Sequence, residues 1–491
     1  MRQHIENLIY YEIEHHVIDE RDAIYIRNQL YQLFHLSMDL ERPSHTKITY
    51  PSDALEPLIK WGVDQSIFHP IFQSYDQISS HIMNLFAMLP SRVEQTFYQY
   101  YAQGKASATN WYYQYMQHLN YIQMDRIHKN KHFNTPSIYG HLEITINKSK
   151  PEKNPLDIIQ SKENNTHDYP QCALCVENEG YQGDTKRDPK SQHRMIKISL
   201  DDENYYFQYS PYIYFNEHAI VLSETHRPMH IDHKVLGQLI QLCDMFDGYF
   251  FGSNADLPIV GGSILSHDHY QGGKHRFPIE DAKILRSWKI KTLEISILKW
   301  PLSTLRLKTT DPALLLKWAS LILDKWRDYQ QPSLHIFSHT GAQPHNTVTP
   351  IARKTGDVYE LDLILRNNLT TDEYPLGIFH PHQDKWHIKK ENIGLIEAMG
   401  LAILPARLES EIESIKNYLL DQYSLSYVDE KHQLWAKTMK ADQKIDPNHL
   451  DHKIELEIGT IFTRVLEDCG VFKQDDQGIR AFIEFVEENV I

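Results

Sequence analysis

The glycine-rich stretch Asp256–Gly273, DLPIVGGSILSHDHYQGG, constrains this chain more than any other part of it. Its apolar run Leu257–Val260 predicts a buried strand. The two glycines that follow allow a positive φ or the close approach of a ligand. Alternate side chains of an extended segment share one face, and three polar residues come next at alternate positions: His267, His269 and Gln271. This pattern suits the handling of phosphate better than the filling of a core.

Each polar side chain of this stretch has chemistry that suits a phosphate ester. An imidazole can attack phosphorus and leave again, so it can carry a nucleotidyl group covalently. Its other nitrogen must be held by a hydrogen bond, and a backbone carbonyl of the same strand can accept one. Gln271 offers a neutral amide to phosphate oxygens, and Ser263 and Ser266 offer hydroxyls to a second phosphate. With 29 histidines in the chain a chance His-x-His pair is common, but the glycines and Gln271 beside it favour a function.

Composition limits the classes of protein to consider. A chain of 491 residues that is 41% hydrophobic has room for two or three globular domains. Its net charge of −15 disfavours binding to the backbone of DNA or RNA. The N-terminus lacks the apolar core of a signal peptide, and no apolar run is long enough for a transmembrane helix. With only four cysteines, we expect a cytoplasmic protein.

Two cysteines form a second candidate site, Cys172-x-x-Cys175. Two thiolates at this spacing in a turn can bind one tetrahedral metal ion. The same motif in a cytosolic protein can instead be redox-active, but nothing around it is typical of a thioredoxin. The sequence therefore favours a metal.

The stretch Asp256–Gly273 resembles the signature of the second, Gram-positive-type family of galactose-1-phosphate uridylyltransferases, within the histidine-triad superfamily. The Cys172-x-x-Cys175 motif and the segment 388–405 resemble the same family. The resemblance implies an α+β fold with two histidine-triad-like halves, each an antiparallel sheet with packed helices, plus helical extensions at both ends. We expect the divisions 1–140, 141–281, 282–425 and 426–491, of which the third is a degenerate copy of the catalytic second part.

The resemblance also implies the reaction and its residues. His269 would attack UDP-glucose, release glucose 1-phosphate and carry the uridylyl group until galactose 1-phosphate accepts it as UDP-galactose. Gln271 would stabilise the transition state. The resemblance assigns these residues to substrate binding: Asn254, Gly262, Ser263, Ser266, Asn216, Lys150 and Lys153. It assigns these to a structural zinc: Cys172, Cys175, His226 and His267. It implies a homodimer and no organic cofactor.

Two other classes stay open. A histidine-triad hydrolase or dinucleotide phosphorylase would use the same His269 with water or phosphate as the acceptor. Such hydrolases carry a third histidine where this chain has Gln271, which favours transfer to a sugar phosphate. A zinc-stabilised binding module would bind UDP-sugar without forming an adduct. A second histidine pair, His380 and His382, follows no glycine-lined strand, so we do not expect it to supply the nucleophile.

The remaining pattern predicts helices up to about residue 130, a strand at 141–147 and further strands at 205–211 and 212–222. A helix is expected at 232–251, with Cys243 on its inner face. In the third part we expect strands near 290–298, 305–307, 333–337 and 359–366 around a helix at 312–330. Segment 388–405 is predicted to be an apolar helix, and the C-terminal tail to be helical.

Overall fold

The computed structural model describes residues 1–37, 43–69, 73–149, 169–184, 187–262, 264–442 and 445–491. Its helices are α1 (Arg2–Glu14), α2 (Ala23–Leu33), α3 (Ser52–Asp64), α4 (Tyr75–Asn84), α5 (Pro90–Gln103), α6 (Lys105–His118), α7 (Met124–Ile127), α8 (His233–Met245), α9 (Pro312–Asp328), α10 (Leu395–Ala398), α11 (Leu408–Leu419), α12 (Glu430–Asp442), α13 (Leu450–Cys469) and α14 (Asp476–Asn489). Within those ranges no helix combines the length and the low polarity needed to cross a lipid bilayer.

The strands are β1 (Lys131–Ser137), β2 (Gly140–Asn147), β3 (Ile196–Leu200), β4 (Glu203–Tyr209), β5 (Ala219–Ser223), β6 (Phe250–Gly252), β7 (His269–Gly273), β8 (Ile284–Ile290), β9 (Leu293–Leu298), β10 (Thr304–Thr309), β11 (His339–Thr340), β12 (Gln343–Pro344), β13 (Asn346–Thr355), β14 (Val358–Asn367) and β15 (Leu401–Pro405). The chain divides into two compact units. The first unit comprises Met1–Lys129 and Ser149–Arg227, and the second comprises Asn130–Lys148 and Pro228–Ile491.

The first unit joins helices α1–α7 to an antiparallel meander of β3, β4 and β5. Helix α4 begins at a capping box, in which the Ser74 hydroxyl accepts from the Gln77 amide at 3.2 Å. Helix α6 is rich in aromatic residues, and its Tyr112 is wholly buried. Trp111 stacks on Tyr100 and Tyr115 of this same unit. The aromatic residues of α6 therefore pack within the protein, as their helical spacing predicts.

The second unit contains a larger sheet, a smaller one and the two-stranded pair of β11 and β12. In the larger one the strands run antiparallel in the order β7, β6, β13, β14, β10, β9, β8. In the smaller one β2 pairs antiparallel with β1 and parallel with β15. Helix α8 packs on β6 and β13, and α9 packs on β10, β13 and β14. Asp311 caps α9, because its carboxylate accepts from the amides of Ala313 and Leu314.

The predicted α+β class, with antiparallel strands and packed helices, is confirmed, while the four-part division stays a prediction. Segments 333–337 and 388–405 differ from expectation. Where a strand was expected at 333–337, the segment instead begins with a short 3-10 turn at Pro332–Leu334. Segment 388–405 is not one helix: it contains a single helical turn, α10, which is followed by β15. Gly400, at φ +103°, breaks the helix there, and the next residues pair with β2.

Candidate active site

The histidine pair leads into β7, which pairs with β6 in the larger sheet of the second unit. His269 opens the strand, and its register places Gln271 opposite Gly252 of β6. Tyr270, between them, is wholly buried and donates its hydroxyl to Gln238 of α8. Because successive side chains of a strand alternate, His269 and Gln271 share the other face. The predicted alternation is therefore present from His269 onward, whereas His267 lies just before the strand.

The ring of His269 is held in one orientation. Its Nδ1 lies 2.7 Å from the carbonyl oxygen of His267, and the residue is only 6% exposed. A carbonyl can only accept, so Nδ1 carries the proton and Nε2 keeps its lone pair. Nε2 has no hydrogen-bond partner in the described part of the chain. Burial lowers the pKa of His269, which favours the neutral, nucleophilic ring.

The segment before the histidines is a turn, so the predicted strand at Leu257–Val260 is wrong. Pro258 has no amide proton to donate to a ladder, and Ile259 has a φ of +75°. A β-branched residue in the left-handed region costs about 1–3 kcal/mol, so surrounding contacts must hold it there. Among the described residues of this stretch, the pairing is limited to an isolated bridge between Ala255 and Gly261.

Asn254 and Gly262 fit closely together inside this turn. A Cβ on Gly262 would lie 2.5 Å from the side-chain nitrogen of Asn254. The Asn254 side-chain oxygen accepts from the amide of Leu395 at 2.9 Å, at the start of α10. Only glycine fits at 262 without moving Asn254, so these two residues define the shape of the turn.

A segment more than a hundred residues later in the chain supports the same turn. The sequence did not reveal this support. The Asn392 side-chain nitrogen donates to the Gly261 carbonyl at 3.4 Å, and its oxygen contacts His380 Nε2 at 3.2 Å. A Cβ on Gly377 would lie 2.8 Å from the Ile259 side chain. The only sequence signal for Asn392 was its place in the segment 388–405 that resembles the family.

Lys389 does not face open solvent as a phosphate-binding lysine would. It is 6% exposed, and its ammonium group pairs with Glu397 at 2.5 Å and with Glu391 at 3.6 Å. These carboxylates outweigh burial and raise the pKa of Lys389. Its charge therefore stabilises the segment that holds Asn392.

Three of the four predicted metal ligands come together in the first unit. The sulfurs of Cys172 and Cys175 are 3.5 Å apart, and Cys175 Sγ lies 3.2 Å from His226 Nδ1. The ligand atoms of these three residues lie within 4.8 Å of one another. Asn178 shapes the turn by donating to the carbonyls of Cys172 and Cys175, both at 2.8 Å. His267, the fourth predicted ligand, belongs to the second unit and is wholly buried.

This cluster fits a zinc ion. Tetrahedral zinc with Zn–S bonds of about 2.3 Å separates two sulfurs by roughly 3.8 Å, close to the 3.5 Å seen here. Without a metal, burial raises the pKa of Cys175 to about 11. A cation that converts both thiols to thiolates would offset that cost. The structure therefore contains a cysteine–histidine cluster that can hold a metal.

The remaining predicted residues are scattered. Ser266 is exposed just before the histidines. Asn216 is exposed in a turn of the first unit, ahead of β5, which is shorter than the predicted strand at 212–222. Ser263, Lys150 and Lys153 lie outside the described residues. Cys243 is buried in α8 and belongs to the core, as predicted.

Comparison with known proteins identifies the family. Residues 17–228 match the profile of the "Galactose-1-phosphate uridyl transferase, N-terminal domain", and residues 242–437 match that of the corresponding C-terminal domain. The chain is 45% identical to the galactose-1-phosphate uridylyltransferase of Clostridium perfringens (strain 13 / Type A) over 487 residues, which cover 98% of this chain and 97% of that one. It is 42% identical to the enzyme of the same name from Bacillus subtilis (strain 168), over 99% of this chain and 97% of that one. The chain therefore belongs to the galactose-1-phosphate uridylyltransferase family.

Proposed function

We propose that the protein transfers UMP from UDP-glucose to galactose 1-phosphate through a covalent intermediate on His269. The observation that carries this proposal is the contact of His269 Nδ1 with the His267 carbonyl, because it leaves the Nε2 lone pair available. The substrates are inferred from relatives that are named galactose-1-phosphate uridylyltransferase and that match this chain over nearly its full length.

In the first step His269 Nε2 attacks the α-phosphorus of UDP-glucose. The P–N bond forms as the bond to the bridging oxygen breaks, and glucose 1-phosphate leaves with the electron pair. In the second step the phosphate of galactose 1-phosphate attacks the same phosphorus and the P–N bond breaks, which gives UDP-galactose and restores the ring. Both sugar phosphates are already anions, so neither step needs a strong acid or base. Catalysis then consists mainly of positioning and charge stabilisation.

Gln271 is the proposed donor to the phosphate oxygens in the transition state, because it shares the strand face of His269. Asn254 and Gly262 are proposed to contact the diphosphate, and Ser263 and Ser266 the sugar phosphate. For Asn254 the contact would come from its side-chain nitrogen, since its oxygen already accepts from Leu395. We further propose that Asn216 contacts the uridine and that Lys150 and Lys153 contact the phosphates.

The proposed metal is zinc, bound by Cys172, Cys175, His226 and His267. When bound, it would fix the cysteine turn and the start of the histidine segment, and it would not touch the reacting atoms. We also propose that the protein works as a cytoplasmic homodimer without an organic cofactor. Metal analysis of the purified protein tests the zinc: about one equivalent is expected, and its loss in Cys172→Ser together with a lower melting temperature supports a structural role. A metal-free wild type that is equally stable would contradict it.

The covalent step is tested with UDP-glucose labelled in the uridine. The wild type should retain an acid-labile, alkali-stable label, and His269→Ala should retain none. His339→Ala, which alters an exposed histidine of β11, is the matched control and should label normally. Adding galactose 1-phosphate should release the label as UDP-galactose. Its release as UMP at the same rate without a sugar phosphate would favour a hydrolase, and binding without label would favour a binding module.

A further inference from the structure

A cavity of about 250 Å³ lies in the first unit, bordered by α1, α6, α7 and the loop before α3. Pockets for drug-sized ligands usually measure roughly 300–1,000 Å³, so this one suits a single small ring rather than a nucleotide sugar. None of its lining residues is among those proposed to act in the transfer reaction. The cavity is thus not explained by the proposed transfer reaction.

Its walls are built from aromatic rings that hold one another in place. His15 stacks on His118 with ring centres 4.1 Å apart, and Tyr11 is tilted against His15 at 4.4 Å. On another wall the Tyr50 hydroxyl contacts His128 Nδ1 at 2.7 Å. The two imidazoles cover each other's faces and Tyr11 is tilted by 57°, so these rings leave no parallel slot for a flat base between them.

The lining is polar, and two of its histidines favour the neutral form. Burial lowers the pKa of His118 to about 4 and also lowers that of His15. No lysine or arginine is among the described residues that line the cavity. A phosphate would meet no lysine or arginine among these lining residues, so an anionic ligand is disfavoured.

Hydrogen-bonding groups complete the site. Gln117, Asn120 and Thr49 line the same space as the rings. An uncharged sugar ring has an apolar C–H face that can pack on aromatic rings, and hydroxyls that amides and imidazoles can bind. A nucleobase would need a stacking slot, and a sugar phosphate would need a cation.

We propose that this cavity binds an uncharged monosaccharide in its pyranose form. The site is separate from the residues assigned to transfer and independent of the proposed function. The protein would thereby bind an unphosphorylated sugar in addition to the sugar phosphates of its proposed reaction.

The test is calorimetric titration of the full-length protein with D-galactose and with D-glucose. Saturable binding by at least one sugar is expected. Gln117→Ala should weaken it at least about fivefold, since roughly 1 kcal/mol of hydrogen bonding is lost. Gln114→Ala, an exposed residue of α6 outside the lining, is the matched control and should bind normally. Thr49→Trp should abolish binding by filling the mouth of the cavity, because Thr49 is exposed and only its backbone amide bonds Asp53, at 2.9 Å.

Three results would overturn the proposal. One is that neither sugar binds at up to about 100 mM, a concentration well above the weakest specific affinities, of about 1 mM. Another is that sugar binds equally well to wild type and Thr49→Trp while both melt normally, which would place the binding elsewhere. The third is displacement of the sugar by uridine from the wild type, which would assign the cavity to a nucleoside. His269→Ala should bind the sugar as the wild type does, so the outcome does not depend on the transfer reaction.

Discussion

Two histidine pairs in the second unit share the same spacing but differ in what their nitrogens contact. His269 Nδ1 bonds to the carbonyl of His267, and Nε2 has no partner among the described residues. In the other pair, His380 Nδ1 contacts the Pro381 carbonyl and its Nε2 contacts Asn392. His382 Nε2 contacts the Ile378 carbonyl, and its Nδ1 lies 3.4 Å from Asp468. Spacing alone therefore does not define a nucleophile, which also needs one nitrogen fixed and the other available.

The backbone explains this difference. The strand β7 starts at His269, and the carbonyl of His267, two residues earlier, lies within reach of the His269 ring. Pro381 interrupts the second pair and prevents such a ladder. The amide of His382 instead donates to Asp468 of α13 at 2.9 Å. The first pair has the arrangement that the proposed reaction requires, and the second pair anchors the segment that supports the glycine turn.

The largest expected effect is the difference in kcat between two variants, each of which lacks one ring of one pair. His269→Ala should lower kcat at least about a thousandfold, because the covalent route is lost. His382→Ala should keep kcat within about threefold, since its ring serves packing. Steady-state assays with UDP-glucose and galactose 1-phosphate, on variants shown to be folded by circular dichroism, measure both. Comparable losses in the two variants would refute the distinction between the pairs.

A smaller effect is expected from disturbing the turn that precedes the active pair. Gly262→Ala places a methyl group 2.5 Å from the Asn254 side-chain nitrogen and must displace it. We expect kcat/KM to fall about tenfold to a hundredfold, as misplacement of reacting groups by about 1 Å does. Gly237→Ala in α8 is the control, because its added carbon would lie at an ordinary 3.6 Å from Leu316. That variant should retain activity and gain about 0.5–1 kcal/mol in free energy of unfolding.

The sequence was most informative where structure depends on near neighbours. The contact of His269 with the His267 carbonyl follows from residues two apart on an extended chain, so it could be predicted. The turn at 257–260 could not, because the left-handed Ile259 is held by Gly377, far along the chain. Segment 388–405 likewise looked helical because its apolar pattern is ambiguous. Its last five residues, Leu401–Pro405, form the strand β15 by pairing with β2, more than two hundred residues earlier.

Removing the anchor of the second pair should affect stability rather than catalysis. Asp468 accepts from the His382 amide and pairs with Lys385 at 3.1 Å, and both side chains are largely buried. Asp468→Asn keeps the shape but removes the charge, so we expect a loss of about 1–3 kcal/mol in free energy of unfolding. Urea denaturation measures this change. A tenfold fall in kcat of the folded variant would show that the second pair takes part in the chemistry after all.

The smallest expected effect concerns how the stability of the second pair depends on pH. Burial, assisted by the charge of Arg366, lowers the pKa of His380 below its ordinary value of about 6.5. The unfolded chain therefore binds a proton more readily than the folded one, so the stability from His380 is present above about pH 6.5 and is lost as the pH falls toward the folded pKa. One such group contributes at most about 1.4 kcal/mol per pH unit.

His380→Gln should remove this contribution, so the difference in free energy of unfolding between wild type and variant should change between pH 7 and pH 5. His339→Gln, at an exposed site, should run parallel to the wild type. Parallel curves for His380→Gln as well would mean that His380 takes up its proton equally readily in the folded and unfolded chains. The engagement of both its nitrogens would then not distinguish it from an exposed histidine.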